Sequence, residues 1–301
     1  MSENVQKTLR DSAALRWLAL ILLAGAMFCS YIFMDILSPI KDLMWDTKGW
    51  DSTAFGTMQG SETFLNVFVF FLIFAGIILD KMGVRFTAIL SGAVMLVGAT
   101  INWYALTDMF AGSNLEVWFN EHLNYIPGFD ELGVSPFYKG MPASAKFSAI
   151  GFMIFGCGCE MAGTTVSKAI AKWFKGKEMA LAMGLEMALA RVGGLAIFSI
   201  SPYIEEKMGT VVAPLAFCTL LLLIGLITFG VFCVMDKKFD KQLGAAASDG
   251  EPEEEFKFSD LKYILTSQAF WIVALLCVLY YSAIFPFQRF ATNFLRRPSR
   301  A

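Results

Sequence analysis

Charge and histidine are both scarce in this sequence. Of its 301 residues, 17% are Asp, Glu, Lys or Arg, and His122 is the one histidine. A lone imidazole in a polar loop removes most histidine-based catalysis, and no HExxH, GxSxG or phosphate-loop pattern occurs. An intramembrane enzyme would need a nucleophile–base pair or metal ligands inside its apolar runs. Neither is present, so no enzyme is expected. The six cysteines, Cys29, Cys157, Cys159, Cys218, Cys233 and Cys277, all fall within apolar runs. Cys157-Gly-Cys159 has the wrong spacing for a zinc pair and no second pair to complete one, so these read as packing thiols, with no metal and no cofactor. The net charge of -2 says nothing about partners, but no basic patch interleaved with aromatics points to nucleic acid, so no nucleic-acid partner is expected.

Apolar residues, by contrast, make up 56% of the chain, and the mean hydropathy is +0.58. A soluble domain rarely carries so much. About 20 helical residues cross a hydrocarbon core of roughly 30 Å, and seven stretches meet that length: 17–34, 55–79, 86–107, 143–170, 179–204, one within 208–235 and one within 263–288. None has the ten-residue alternation of a transmembrane barrel strand. The fold class is therefore an all-α membrane protein with the lipid bilayer as its solvent. The first stretch leads into Tyr31, Asp35 and Pro39 rather than a small-residue cleavage site, so it reads as a retained span.

Lys and Arg crowd alternate connections. Lys7, Arg10 and Arg16, then Lys81 and Arg85, then Lys168, Lys172, Lys175 and Lys177, then Lys237, Lys238, Lys241, Lys257 and Lys262 fall on one side, which places the N-terminus in the cytoplasm. The segments then read as a cytoplasmic N-terminus (1–13), a six-helix bundle (14–235) with an outer insert at 107–142, a cytoplasmic linker (236–262) and a first span of a second half (263–301). The insert carries Trp118, Tyr125, Pro127 and Pro136 and suits a small cap. Residues 256–265 suit a short amphipathic surface helix. A long linker after six spans is the layout of a carrier built from two six-helix halves.

The turn between spans 2 and 3 reads Gly76-x-x-x-Asp80-Lys81-x-Gly83-x-Arg85. Gly76 permits close helix approach, Asp80 suits a helix N-terminus, and Gly83 suits a tight turn. This pattern resembles the loop signature of the major facilitator superfamily, which implies a gating loop that does not touch substrate. A second set is Cys159-Glu-Met-Ala-Gly163, Trp173-Phe-Lys-Gly-Lys-Glu178 and Ala188-Leu-Ala-Arg-Val-Gly193, with Ser30–Asp35 and Tyr280–Phe287. Together they resemble the lysosomal dipeptide transporter branch of that superfamily. The outer insert, Glu62 and Glu186 depart from it. The resemblance implies a secondary transporter moving a dipeptide or similar zwitterion by alternating access, as a uniporter or a proton-coupled symporter.

Charges within the spans cost roughly 2.5–3.5 kcal/mol each against lipid, so they must face the bundle interior, a cavity or an interface. Glu160 and Arg191 fall near mid-depth on adjacent antiparallel helices. Two readings stand: a structural salt bridge, or a site where Arg191 takes a carboxylate and Glu160 an amine. Tyr31 and Asp35 share a face of helix 1, and Glu62 and Asn66 share a face of helix 2; Tyr31 and Asn66 join Glu160 and Arg191 as candidate substrate contacts, with a bond to a neighbouring helix as the other reading of Asn66. Asp35 is a proton or substrate carboxylate or a span-end carboxylate that reaches water, and Glu62 is a second candidate proton or substrate carboxylate. Glu186 lies about 140° from Arg191 around the helix and is expected to pair elsewhere. Tyr281 is either a hydroxyl donor to substrate or aromatic packing. The stranded seventh span is expected to lack a C-terminal half, helices 8–12, needed for transport. The alternatives are an organic anion or sugar carrier, or a truncated non-transporting membrane subunit. A bacterial inner membrane is the expected location.

Overall fold

In the computed structural model the described residues are 9–246, 263 and 265–295, and the amphipathic segment expected at 256–265 lies largely outside them. The chain divides into two compact units, one ending at Gly250 and one beginning at Glu251.

The first unit is a helical bundle. After a 3-10 turn at Leu9–Asp11, α1 (Ala13–Met34) runs until Asp35 and a 3-10 turn at Ser38–Ile40. Pro39 has no amide hydrogen to continue the helix ladder. The short helices α2 (Lys41–Lys48) and α3 (Ser52–Gly60) follow, the latter capped by Asp51, whose carboxylate accepts from the Ala54 amide at 2.7 Å. A 3-10 turn at Ser61–Thr63 leads to α4 (Phe64–Phe68), and α5 (Phe71–Leu106) begins after Phe70, whose φ is 56°. The second span is therefore not the continuous helix expected over 55–79. Gly60, Ser61, Glu62 and Thr63 tighten into a 3-10 turn, where the Ser61 hydroxyl donates to the carbonyls of Met58 (2.6 Å) and Ala149 (3.0 Å). Hydroxyl competition of this kind weakens the α-helix ladder.

Within α5, Gly83 (φ 78°, ψ 168°) turns the chain, separating an arm at 71–82 from one at 84–106. This is the tight turn expected between spans 2 and 3, and only glycine takes that backbone without a Cβ penalty. The outer insert contains α6 (Asn114–His122), followed by α7 (Ala143–Trp173), α8 (Met179–Met208) and α9 (Val212–Ala246). Helix α9 continues through residues assigned to the linker from 236 onward. The second unit contains α10 (Gln268–Leu295). Six helical stretches among the described residues are long and apolar enough to cross a membrane. One of them, Phe71–Leu106, runs through the Gly83 turn and so takes in the inner arm of the second span together with the third, which accounts for the difference from the seven expected.

The arm at 84–106 packs along α7. A Cβ on Gly98 would lie 2.5 Å from the Gly151 carbonyl oxygen, so the two backbones touch there. The buried core runs from Leu20 and Phe33 on α1 through Phe155 and Trp173 on α7 to Phe229, Phe232 and Phe239 on α9. Cys29, Cys157, Cys159 and Cys218 are buried free thiols, as the apolar runs imply.

Candidate functional site

Two clusters of polar side chains occupy the bundle, one at its middle and one at the end holding the Gly83 turn. At the turn end Arg16 donates to Glu178 at 3.0 Å and its guanidinium lies over the Phe174 ring. From this tie Tyr31 stands 15 residues up α1, about 22 Å, and Arg191 stands 13 residues up α8, about 20 Å. The two arrive at one level. Gly193 lets α8 close on α1, since a Cβ there would sit 3.0 Å from the Phe28 carbonyl oxygen and 3.1 Å from its ring. The Ser201 hydroxyl donates to the Ile36 carbonyl at 2.7 Å, fastening the same pair of helices further along. The Arg191 guanidinium accordingly lies over the Tyr31 ring, 5.3 Å from its centroid.

Glu160, 13 residues from the end of α7, stands about 20 Å from the α7–α8 turn, level with Arg191. The Tyr31 hydroxyl is within electrostatic reach of Arg191, Glu160 and Glu186 together, so α1, α7 and α8 bring these four groups to one region. Among the described residues Glu160 and Arg191 form no ion pair within 4.0 Å, and the side chain of neither makes a hydrogen bond. Glu160 is exposed and Arg191 half-buried. Glu186, expected to face away, is only 8% exposed and belongs to the same electrostatic group. The 140° separation from Arg191 is real, yet α1 and α7 flank α8 closely enough to draw on both faces.

Glu62 is 5% exposed and sits on the 3-10 turn, not on a regular face shared with Asn66. Its carbonyl presses on Gly156, where a Cβ would lie 2.1 Å from the oxygen. Glu62 and Glu160 are both within electrostatic reach of the Cys159 thiol. Asn66 is half-buried, and both its amide nitrogen and its amide oxygen are shielded from solvent without a hydrogen-bond partner. Asp35 is buried at the start of the turn after α1. Tyr281 lies on α10 in the second unit, where its ring stacks on Phe285 at 5.0 Å and meets Tyr280 edge-on at 5.2 Å.

The turn-end cluster contains residues that sequence reasoning missed. Asp236 on α9, 1% exposed, accepts from Arg85 (3.2 Å), from Lys172 (2.9 and 3.0 Å) and from the Trp173 indole (2.9 Å). Asp240, one turn on, takes Arg85 at 2.5 Å and Lys172 at 2.6 Å. Asp80 pairs with Lys168 at 2.9 Å, and Lys81 is exposed. The close helix approach expected at Gly76 is not made among the described residues, since a Cβ there would meet nothing within 4 Å. The missed signal was the i, i+4 pair Asp236 and Asp240 at the end of an apolar run, opposite four lysines and an arginine at the same membrane level. Sequence reading had set both aspartates in a linker.

Several relatives match this sequence at modest identity. A chicken (Gallus gallus) protein named lysosomal dipeptide transporter MFSD1 is 33% identical over 147 residues, 46% of this chain and 32% of the relative. The human (Homo sapiens) protein of that name is 24% identical over 282 residues, 90% of this chain and 52% of the relative. The zebrafish (Danio rerio) protein is 29% identical over 147 residues. The chain thus spans about half, or less, of the length of these relatives. The family model described as Major Facilitator Superfamily matches residues 23–295, nearly the whole of the sequence. With an all-α bundle, several membrane-crossing helices and the Gly83 turn in its expected place, the chain is a multi-pass membrane protein that belongs to the major facilitator superfamily.

Proposed function

We propose that the whole protein carries a small zwitterion, a dipeptide or a similar solute, across the membrane by alternating access, with Arg191 holding its carboxylate and Glu160 its amine. The observation that carries the reading is that these two opposite charges stand at one membrane level, close to Tyr31, with neither closed into an ion pair or hydrogen bond among the described residues. A charged group facing acyl chains costs roughly 2.5–3.5 kcal/mol. Two uncommitted charges of opposite sign are tolerated there when they look into water or onto a ligand that pairs with both. A planar guanidinium takes a carboxylate with two parallel hydrogen bonds. Glu62 and Asp35 are the remaining carboxylates for a coupled proton, and Asn66, with its amide uncommitted, is a further substrate contact. The relatives' name speaks of dipeptides, which agrees with the charge pattern.

The Gly76, Asp80, Lys81, Gly83 and Arg85 loop is the proposed gating element, acting through Asp236 and Asp240. The N-terminus is proposed to be cytoplasmic. A bacterial inner membrane is the proposed location, although the relatives' name speaks of lysosomes, and imaging a tagged chain in its own cells decides between them.

The test uses the whole protein in proteoliposomes with labelled dipeptide. Arg191→Ala and Glu160→Gln should each lower uptake at least tenfold. Normal uptake in both variants removes the zwitterion site. A competition panel of dipeptides, monocarboxylates and sugars separates this reading from a carrier of organic anions or sugars, in which monocarboxylates or sugars compete as well as dipeptides do.

A further inference from the structure

An open cleft of about 470 Å³ lies between the loop 124–139 of the outer insert and α3. None of the residues lining it belongs to the central site. Its volume is within the range that holds small ligands. Its wall is fixed by internal hydrogen bonds. The Ser135 hydroxyl donates to the Phe137 carbonyl at 2.7 Å and accepts from the Ile126 amide at 3.3 Å. Asn124 accepts from buried Lys146 at 3.1 Å, and the Tyr138 hydroxyl donates to Asp51 at 3.4 Å.

Against this braced wall stand groups with no such commitments. Asp130 and Lys139, a carboxylate and an ammonium, both line the cleft, yet neither side chain has an ion-pair or hydrogen-bond partner among the described residues. They do not neutralise each other, because no nitrogen–oxygen contact within 4.0 Å joins them. Thr53 and Thr57, one helical turn apart on α3, also line the cleft with no side-chain hydrogen bond among the described residues, and the Tyr125 phenol is likewise uncommitted there. A monoanion or a monocation would satisfy one charge and be repelled by the other. A molecule carrying both an ammonium and a carboxylate satisfies both, and the threonine and tyrosine hydroxyls supply hydrogen bonds between them.

We infer that this cleft is a second binding site, on the face carrying the insert, for small zwitterions such as amino acids or short peptides, with Lys139 taking the carboxylate and Asp130 the ammonium. It rests on its own residues and stands whether or not the central site binds the same class.

The experiment measures equilibrium binding of tritiated glycylglycine to the full chain in nanodiscs. An Arg191→Ala, Glu160→Gln background removes the proposed central site. One saturable site should persist there, and Asp130→Asn or Lys139→Gln added to that background should each weaken it about tenfold. Both substituted residues are exposed, so folding should be unaffected, and circular dichroism and gel filtration verify it. Glycylglycine should be displaced by glycine but not by propionate or propylamine at equal concentration. Loss of all binding in the background variant, or binding indifferent to both charge changes, overturns the second site. Equal displacement by propionate overturns its zwitterion selectivity. If instead the background changes leave total binding intact while Asp130→Asn and Lys139→Gln abolish it, the central reading fails and the cleft remains.

Discussion

The guanidinium of Arg191 rests over the ring of Tyr31, 5.3 Å from its centroid, while no carboxylate closes on it among the described residues. The aromatic face holds the cation in place without saturating its five donors, so the fork stays available to a ligand carboxylate. Tyr31→Phe keeps the ring and should leave dipeptide affinity within about threefold of wild type, whereas Tyr31→Ala should weaken it about five- to tenfold, the equivalent of roughly 1 kcal/mol of cation–π interaction. Arg191→Lys, which keeps the charge but loses the planar fork, should behave more like Arg191→Ala than like wild type. The three affinities, measured on the whole protein, rank the contributions. Equal values for Tyr31→Phe and Tyr31→Ala would show that the ring does not position the guanidinium.

Asp236 collects two cations and an indole at a position 1% exposed. Asp236→Asn should destabilise the bundle by about 2–3 kcal/mol, the usual cost of losing hydrogen bonds to a buried charge. The value stays below that of a fully buried pair because the Arg85 and Lys172 side chains are 42% and 26% exposed. Asp240→Asn, at a position 38% exposed, should cost under about 1 kcal/mol. Unfolding curves of the two variants in mixed micelles give the difference, and equal losses would contradict the central place of Asp236.

Gly156 meets the Glu62 carbonyl where a Cβ would lie 2.1 Å from the oxygen. Gly156→Ala should therefore cost about 1–3 kcal/mol through overpacking and shift the 3-10 turn that carries Glu62. Gly163→Ala, about two turns further along the same helix where a Cβ meets nothing, should be neutral or slightly stabilising. The contrast between two glycine-to-alanine changes on one helix, read by thermal unfolding, separates packing from helix propensity.

Tyr138 outside the spans has its phenol pushed above the ordinary 10.0, first by burial and then by the Asp51 carboxylate to which it donates. The folded protein holds that proton more tightly than the unfolded chain does. Its contribution to stability is therefore complete below pH 10 and is lost as pH rises through the folded value. In an ultraviolet titration, the absorbance step missing from Tyr138→Phe should fall above pH 10. Asp51→Asn should move it down only in part, because burial is the larger cause. A step at or below 10 would mean that the phenol is solvated.

Long apolar runs announced most of this fold because a membrane helix needs only length and hydropathy. The turn at Gly83 was equally legible, since a glycine flanked by charge has few other uses. The broken second span was not. Its residues remain apolar enough across 55–79 for a continuous helix, and the break involves the bond of the Ser61 hydroxyl to the Ala149 carbonyl and the contact of Glu62 with Gly156, both long-range. Asp236 was hidden for a related reason. A carboxylate at the end of an apolar run reads as the start of a linker until the helix opposite supplies Lys172 and Trp173. In the middle of the bundle, Glu160 and Arg191 could be placed at one depth by counting residues. Their failure to close into a pair could not, because that depends on which way each helix is turned.

Lys146 is the anchor of the insert. Its ammonium is 1% exposed and donates to the Phe119 carbonyl at 3.2 Å and to the Asn124 amide oxygen at 3.1 Å, joining α7 to the end of α6 and to the loop that follows. Lys146→Met keeps the stem that packs in the core but removes both bonds, leaving the buried Phe119 carbonyl and the half-buried Asn124 amide oxygen without that donor. That should cost about 1–3 kcal/mol, borne locally. The Phe110, Phe119 and Phe147 rings still pack together, with centroids 5.0 Å apart for Phe119 and Phe147, so α6 should stay docked while the loop 123–134 loosens. Limited proteolysis should then cut within 123–134 at least several-fold faster than in wild type, with the spans untouched. Asn124→Ala should accelerate the same cuts less, because the Phe119 carbonyl keeps its donor. Unchanged cleavage in Lys146→Met would place the anchor of the insert in its aromatic contacts alone.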